Sequence, residues 1–280
     1  MNEHHDHELF QQYPLTGEAE ISTGVVPTPY HTYDGQGTFI GGFADLAKIT
    51  NLLQDEQLYP IRTTRGRAVM GVWAVDFTDA SLGAHNELQF SILVSSTQTP
   101  AIEDHPLTLL KALFMNPDAL MLCYGLWNNT ETAVAYNREL LGLPAQLNQG
   151  RRQEENGFLS FHFEDENGER LFSGKVAKAT KASPKVGWSL FRLLGLRQTM
   201  NALSQPYLGA KVVNPVGDVL PYNAAAQSYL AADNPIVQFF DGAADSVSFG
   251  PAFADKFNFQ PQFVEHFAPF RFVYLHPEKL

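Results

Sequence analysis

The stretch VMGVWAVDFTDASLGAHNELQFSILVS, residues 69–95, predicts two neighbouring strands and with them a β-rich fold. Residues 69–77 form a near-continuous apolar run of strand length, and residues 86–95 alternate apolar with polar side chains. The turn-rich segment at residues 78–85 joins the two runs. We therefore expect them to pair as antiparallel strands.

The second of these strands divides its side chains cleanly between two faces. One face carries Leu88, Phe90, Ile92 and Val94. The opposite face carries Glu87, Gln89 and Ser91, and it gains His85 if the strand extends backwards. A polar face of this kind either contacts water or points into the lumen of a β-barrel, where alternate residues of every strand converge.

The flanking sequence predicts further short elements and no internal linker. Helices are expected at residues 45–53, 107–115, 131–141 and 188–203, and strands at residues 119–127, 207–220, 235–249 and 263–274. Asn167-Gly168 between residues 158–163 and 171–178 is a strong hairpin signal. Residues 1–35 lack periodicity and predict an N-terminal arm, either partly disordered or packed on the main body or a neighbouring subunit. Residues 36–280 are predicted to form one domain.

Composition excludes several classes of function. The chain has 280 residues, 44% of them hydrophobic and 18% charged, with 21 Phe and 17 Pro, which favours a β-dominated α+β fold with many turns. A net charge of -11 argues against nucleic acid as a partner, because such binding depends on Lys and Arg neutralising phosphates. A single cysteine, Cys123, excludes an intramolecular disulfide and indicates a buried thiol.

The location of the protein is predicted from what its sequence lacks. The N-terminus is polar and acidic, so no signal peptide is expected. No apolar run approaches the roughly 18 residues of a membrane span, so no membrane partner is expected. These features predict a cytoplasmic protein.

Standard motifs are not found. Gly35-Gln36-Gly37 has the wrong spacing for a dinucleotide loop, and only proline-broken sequence precedes it. There is no P-loop, HExxH, GxSxG or CxxC sequence. His4, His5 and His7 form a cluster near the N-terminus that is better explained as solvated than as metal-binding. We expect no metal and no cofactor.

Two segments resemble a known family. NRELLGLPAQL, residues 137–147, looks like the G-R-E-x-x-x-Y-P-K-K-L segment of acetoacetate decarboxylases, and SLGAHNEL, residues 81–88, looks like their S-x-L-G-x-Y-x-E segment. NPIVQFFDGAAD, residues 234–245, resembles their G-P-x-x-L-Q-L-F-D-H segment more loosely. The resemblance covers about residues 36–275. It implies a closed antiparallel β-barrel with flanking helices, assembled as a homo-oligomer, with the site inside the barrel.

The family's reactive lysines are absent from this chain. Acetoacetate decarboxylases form an imine between a lysine and a β-keto acid, and a second lysine lowers the pKa of the first. Those two positions fall on Ala145 and Gln146. The family's carboxylate-binding arginine falls near Gln36 and one of its glutamates on Val72, whereas Glu87 retains the second glutamate. The resemblance therefore implies a divergent member that does not use the imine route at residue 145.

The remaining candidates suggest different chemistry. His85 shares a strand face with Glu87, so the two form a candidate acid–base dyad, or half of a metal site if His162 adds a ligand; a structural role for both histidines is an open alternative. Trp73, Tyr124, Gln146, Ala145, Arg138 and Gln36 are candidates for binding the substrate. Arg138 and Glu139 are also explained by an ion pair at a helix end.

Three hypotheses about function follow. The first is a lyase- or isomerase-type enzyme that binds a small carbonyl or carboxylate compound and uses Glu87 for acid–base chemistry. The second is a protein that binds a small molecule without catalysis. The third is a decarboxylase with a relocated lysine, for which Lys175 and Lys178 are the candidates.

Overall fold

The computed structural model describes residues 6–204, 207–217 and 219–280, and it shows a mixed, mainly antiparallel sheet with few helices. The strands are β1 (Gly17–Ile21), β2 (Gly24–Thr28), β3 (Tyr30–Asp45), β4 (Tyr59–Pro60), β5 (Arg67–Ala80), β6 (His85–Ser95), β7 (Leu120–Asn128), β8 (Ala145–Glu155), β9 (Phe158–Asp165), β10 (Arg170–Ala177), β11 (Leu208–Val213), β12 (Ala224–Ala232), β13 (Ile236–Phe239), β14 (Ser246–Phe249), β15 (Gln260–Phe267) and β16 (Phe270–Lys279). The helices are α1 (Glu8–Gln12), α2 (Leu46–Leu52), α3 (Thr108–Met115), α4 (Glu131–Glu139), α5 (Pro184–Leu194), α6 (Leu196–Ser204) and α7 (Pro251–Phe257).

The strand pairings form a circuit that returns to its starting strand. From β3 the circuit runs through β5, β6 and β7, then through β11, β12 and β16, and back to β3. Every pairing in it is antiparallel except that of β7 with β11. From β7 a second branch continues through β8, β9, β10 and β14.

The two faces of β6 lie in different environments. Leu88, Phe90 and Ile92 are fully buried in the layer between the circuit and the second branch, with Phe172 of β10 and Phe257 of α7. The polar face, which includes His85 and Glu87, points into the interior of the circuit. The alternation in the sequence therefore separates two buried environments, and the polar face is not on the outer surface.

Glycines in β3 allow aromatic rings of the neighbouring strands β15 and β16 to pack against its backbone. A Cβ atom added to Gly41 would lie 2.1 Å from the Phe263 ring, and one added to Gly37 would lie 2.4 Å from the Phe267 ring. Gly35 has the same relationship with Phe270, at 2.5 Å. The glycine-rich segment is thus part of a long buried strand. This strand was not predicted, because the prolines before it weaken the strand signal in the sequence.

The N-terminal segment packs on the main body through α1. In α1, Leu9 and Phe10 are buried against Val273 of β16. His7 caps α1 by accepting a hydrogen bond from the Leu9 amide at 3.2 Å. His4 and His5, the other members of the histidine cluster, lie outside the described residues.

Most of the predicted elements are present, with some differences in extent. The pair of strands at residues 69–95 is antiparallel, and so is the hairpin at Asn167-Gly168. The predicted helix at residues 188–203 is two helices, because Gly195 adopts a φ of 78° between them. Strands β1, β2, β3, β4, β8 and β12 and helices α1 and α7 were not predicted. Each of the predicted strands at residues 235–249 and 263–274 is two strands.

Candidate functional site

An internal cavity lies within the circuit of strands. Its volume is about 80 Å³, several times the roughly 10–15 Å³ that one water molecule requires. Most of its surface is aromatic and aliphatic, including Trp73, Phe77, Phe267, Phe270 and Phe272. Its polar side chains are few: Tyr30, His85, Glu87, Gln89, Asn137, Ser228 and Tyr274. This combination of an apolar wall and a few polar groups is typical of a small-molecule site.

Glu87 is the acidic residue among these lining side chains. Glu87 is half-buried, and it lines the cavity. Burial raises the pKa of Glu87 from 4.5 to about 7, and a hydrogen bond from Asn128 opposes part of that rise. Near neutral pH both the acid and the carboxylate are therefore populated, which is the condition for a general acid or base.

An asparagine pair holds Glu87 in place. Asn128, at the end of β7, donates from Nδ2 to Glu87 Oε2 at 3.2 Å and to the Asn86 carbonyl at 3.3 Å. Its Oδ1 accepts a hydrogen bond from Asn137 Nδ2 at 2.9 Å. Asn137 lies on the buried face of α4, whose N-terminus is capped by the Thr130 side chain. This series of hydrogen bonds thus links Glu87 to α4, the helix whose sequence resembles the family segment.

His85 belongs to a separate hydrogen-bond chain. Its Nδ1 lies 2.8 Å from the Gly83 carbonyl, which can only accept, so Nδ1 carries the proton. Its Nε2 lies 3.4 Å from the Tyr30 hydroxyl, and that hydroxyl accepts a hydrogen bond from Thr32 Oγ1 at 2.8 Å. Tyr30 therefore donates to a neutral His85. Burial lowers the pKa of His85, which keeps the imidazole neutral at physiological pH.

His85 and Glu87 line one cavity but do not hydrogen-bond to each other. The partners of His85 are Gly83 and Tyr30, whereas the side-chain partner of Glu87 is Asn128. The geometry therefore presents a single buried carboxyl group, with a neutral imidazole nearby, and it is not that of a directly bonded dyad.

Tyr274 contributes a polar group without a partner. Its ring lines the cavity, and its hydroxyl is buried with no hydrogen-bond partner in the described part of the chain. Burial, followed by the charges of Cys123, Glu87 and Tyr136, raises its pKa well above 10, so the hydroxyl keeps its proton. A buried hydroxyl without a partner costs free energy, so a hydrogen bond to a ligand oxygen that reached it would be favourable.

Several residues predicted to bind substrate do not line this cavity. Gln146 and Arg138 are exposed. Tyr124 packs against Phe257 of α7 on the outer face of β7, at 5.4 Å between ring centroids. Gln36 lies on β3 opposite Asp76, on the strand face that alternates away from the cavity. Of the predicted binding residues, only Trp73 lines the cavity, where it packs against Phe39 at 4.2 Å.

Ala145 lies beside the cavity without forming part of its wall. It is 1% exposed, at the start of β8, in a buried cluster that also holds Tyr30, Cys123 and Tyr274. Gln146 is exposed because adjacent strand residues point to opposite faces. The predicted Arg138–Glu139 ion pair is not formed, and Glu139 instead accepts a hydrogen bond from the Ser22 amide at 2.9 Å.

Neither relocated-lysine candidate reaches the cavity. Lys175 lies on β10 of the second branch, and Lys178 directly follows that strand. Both are therefore outside the circuit, a position that the hairpin signal did not predict. Lys175 lies over the Phe158 ring at 4.1 Å, and Lys178 pairs with Glu154 at 2.6 Å. Among the described residues, no lysine or arginine lines the cavity.

A metal site is not formed by the predicted ligands. His162 is on the same outer branch, paired with Glu164 at 3.0 Å. Within the described residues, no group of three or more His, Cys, Asp or Glu side chains is placed to hold a metal ion.

Several polar residues near the cavity were not predicted from the sequence. Asn137 lies inside the quoted segment that resembles the family, one residue before Arg138, so helical periodicity relative to Ala133 and Ala135 could have identified its burial. Tyr30, Asn128 and Tyr274 carried no signal, because their strands or strand ends meet the cavity only through long-range pairing.

No protein-family model and no curated protein matches this chain. Its fold does match solved structures. The acetoacetate decarboxylase of Legionella pneumophila subsp. pneumophila str. Philadelphia 1 aligns with a TM-score of 0.61 and 11% identity, covering 90% of this chain and 87% of that chain. A second acetoacetate decarboxylase structure aligns with a TM-score of 0.56 and 13% identity, covering 90% and 89%.

The enduracididine biosynthesis enzyme MppR in complex with pyruvate also matches, with a TM-score of 0.56 and 11% identity, covering 92% of this chain and 94% of that chain. The chain therefore has the acetoacetate decarboxylase-like fold over about nine-tenths of its length. The resemblance that two short sequence segments indicated is confirmed at the level of the fold.

Proposed function

We propose that the circuit of strands is a closed barrel whose cavity binds a small carbonyl compound, and that Glu87 transfers a proton at the carbon next to the carbonyl. The observation that carries this proposal is a carboxyl group with a pKa of about 7 inside an apolar cavity. In this reaction the Glu87 carboxylate takes a proton from the α-carbon, the C–H electron pair forms the enolate, and Glu87 returns the proton to carbon. The chemistry is of a lyase or isomerase type.

The enolate oxygen needs a hydrogen-bond donor, and Tyr274 supplies one. Its protonated, unpartnered hydroxyl is near enough to Glu87 for the carboxylate charge to raise its pKa. A donor held in place where negative charge develops stabilises the transition state more than the neutral ground state. Asn137 and His85 then shape the polar end of the cavity, and Trp73 forms part of its apolar wall.

The imine route has no nucleophile in this cavity. Ala145 cannot form an imine, and no lysine from the described residues lines the wall. The same absence of a lining cation favours an uncharged carbonyl compound over a carboxylate, because a buried anion without a partner is costly. MppR, a protein with this fold, binds pyruvate, so a small carbonyl ligand is within the range of the fold.

A non-catalytic binding function is the alternative. The observation that favours it is the separation of the two hydrogen-bond chains, which leaves Glu87 without a second acid or base bonded to it. Homo-oligomeric assembly and a cytoplasmic location remain predictions.

Proton exchange at carbon distinguishes the two functions. Acetone and cyclopentanone are incubated with the protein in D₂O, and loss of the α-proton signal is followed by NMR. Catalysis predicts exchange above the buffer rate that falls by about 10²-fold or more in Glu87→Gln, while Glu155→Gln, which changes an exposed carboxyl group, retains it. Binding of either ketone with equal affinity to wild type and Glu87→Gln, without exchange, would support the binding function instead.

A further inference from the structure

The paired helices α5 and α6 present an apolar surface to solvent. Trp188 is 62% exposed, Leu196 64% and Met200 59%, and Phe191 is 36% exposed. Trp188 and Phe191 are one helical turn apart and their rings stack at 5.6 Å. Leu196 and Met200 are four residues apart on α6 and share one face. We call these four side chains the α5–α6 apolar surface.

The opposite side of α5 is fully used by the fold. Val186 and Leu193 are buried, and with Leu190 they join the interior cluster that contains Phe267 and Leu113, two residues of the cavity wall. The helix is therefore anchored over the interior of the main body. Its outward apolar side chains add nothing to that anchoring, so they are available to a partner.

Exposed positive side chains lie on, and just before, the two helices that carry the α5–α6 apolar surface. Residues 170–217 contain eight of the chain's 19 Lys and Arg and none of its 30 Asp and Glu. Lys181, Lys185, Arg192 and Arg197 are all exposed. None of these four forms an ion pair with a residue in the described part of the chain. Lys185 and Arg192 lie one helical turn on either side of Trp188.

We propose that the α5–α6 apolar surface docks on an anionic lipid surface. Trp188, Phe191, Leu196 and Met200 would enter the boundary between headgroups and acyl chains, and the surrounding cations would meet the lipid phosphates and carboxylates. Such docking lies in the plane of the membrane. It is independent of the finding that no helix among the described residues is long and apolar enough to cross one.

The same charge pattern argues against a second copy of the chain as the occupant. A symmetric dimer places the same patch of both subunits face to face. Here that arrangement would bring two cationic surfaces together, with Lys185 and Arg192 beside each aromatic pair. Like charges in a contact of this kind are repulsive, whereas an anionic leaflet complements both the charge and the apolar side chains.

Vesicle binding by the full chain tests the proposal. Vesicles of phosphatidylcholine alone are compared with vesicles containing 70% phosphatidylcholine and roughly 30% phosphatidylserine, at low and high salt. We expect co-sedimentation with the anionic vesicles, reduced by salt. We also expect a blue shift of tryptophan fluorescence, because Trp188 is exposed whereas Trp127 is 3% exposed and Trp73 lines the interior.

Two independent variants separate the two parts of the surface. Trp188→Ser/Phe191→Ser removes apolar contact, and Lys181→Glu/Lys185→Glu reverses charge. Each is expected to lower partitioning on the order of tenfold or more. The matched controls are Val25→Ser, an apolar residue that is 63% exposed on β2, and Arg65→Glu/Arg151→Glu, which reverses two exposed charges elsewhere. Both controls are expected to bind vesicles like the wild type.

Three results would overturn the proposal. One is no binding to anionic vesicles at low salt. Another is equal loss of binding in the control variants, which would indicate a non-specific charge effect. The third is a wild-type dimer by light scattering that Trp188→Ser/Phe191→Ser dissociates without any vesicle binding, which would assign the surface to a second copy.

Discussion

Asn128 donates a hydrogen bond from Nδ2 to Glu87 Oε2 at 3.2 Å, and this contact favours the charged form of a carboxyl group that burial would otherwise neutralise. The two residues lie on neighbouring antiparallel strands, directly opposite each other in register. Their relationship determines how much of the carboxylate exists near neutral pH.

The first prediction concerns the titration of Glu87. In Asn128→Ala the carboxylate loses its donor, so the pKa of Glu87 should rise above its wild-type value of about 7. Carbon-13 NMR of the glutamate carboxyl groups measures it. Glu155→Gln serves as the control, because that carboxyl group is exposed and should leave the Glu87 curve unchanged. A pKa for Glu87 near 4.5 in the wild type would contradict its burial at the cavity wall.

The second prediction concerns stability and pH. Glu265 lies on β15 opposite Phe39 and Val237, has no hydrogen-bond or ion-pair partner in the described part of the chain, and burial raises its pKa to about 7. Below pH 4.5 both the folded and unfolded states hold the proton, so the group has no effect. Between pH 4.5 and 7 the unfolded chain loses the proton first. The free energy of unfolding therefore falls as pH rises.

Glu265→Gln should reduce this decrease in the free energy of unfolding by on the order of 2 kcal/mol above pH 7. Urea unfolding at pH 4.5, 6 and 8 measures the difference. Because Glu87 has the same direction of shift, the double variant with Glu87→Gln should show a flatter profile than either single variant. A profile for Glu265→Gln parallel to the wild type would show that Glu265 is not buried.

The third prediction concerns the glycines of β3. A Cβ atom at residue 41 would lie 2.1 Å from the Phe263 ring, which is itself fully buried. Gly41→Ala should therefore lower the free energy of unfolding by about 1–3 kcal/mol, the usual cost of overpacking a core. Gly187→Ala is the matched control, because a Cβ there meets nothing within 4 Å on an exposed helix position. We expect that control to stabilise the protein by about 0.5–1 kcal/mol.

The fourth prediction concerns the imine. Incubation with acetoacetate and borohydride, followed by intact mass measurement, should give no covalent adduct, since Lys175 and Lys178 are engaged with Phe158 and Glu154 on the outer branch. An adduct mapped to either lysine would reinstate the relocated-lysine decarboxylase. A protein with the reactive lysine, such as an acetoacetate decarboxylase, provides the positive control.

Local sequence predicted local structure well where an apolar run, or an alternation of apolar and polar residues, continues without interruption. The antiparallel pair at residues 69–95 and the hairpin at Asn167-Gly168 are examples, because register and turn chemistry are encoded within each segment. Prediction failed for β3, since the prolines before it and the glycines within it weaken the strand signal. There the aromatic rings of Phe263 and Phe267, distant in sequence, provide the packing that the glycines lack.

The residues of the candidate site also fall into those whose position local sequence predicted and those whose position it did not. Glu87, His85 and Trp73, which the sequence put forward, line the cavity because strand alternation places their side chains on one face. Gln146 does not line the cavity. Its place in a family motif does not determine which face of the strand its side chain occupies. Tyr124 and Gln36 point away from the cavity, because the orientation of β7 and β3 depends on their partner strands in the sheet.

The sequence by itself determined the two-faced character of β6, the acetoacetate decarboxylase-like fold and the absence of a lysine at residue 145. Only the tertiary structure decided that the polar face of β6 meets the interior of the strand circuit, where burial raises the pKa of Glu87 to about 7. It also decided that Asn128, Asn137 and Tyr274 meet there, because strand pairings between residues far apart in the chain bring them together. Alternation is a local property, whereas desolvation depends on every element that covers the group.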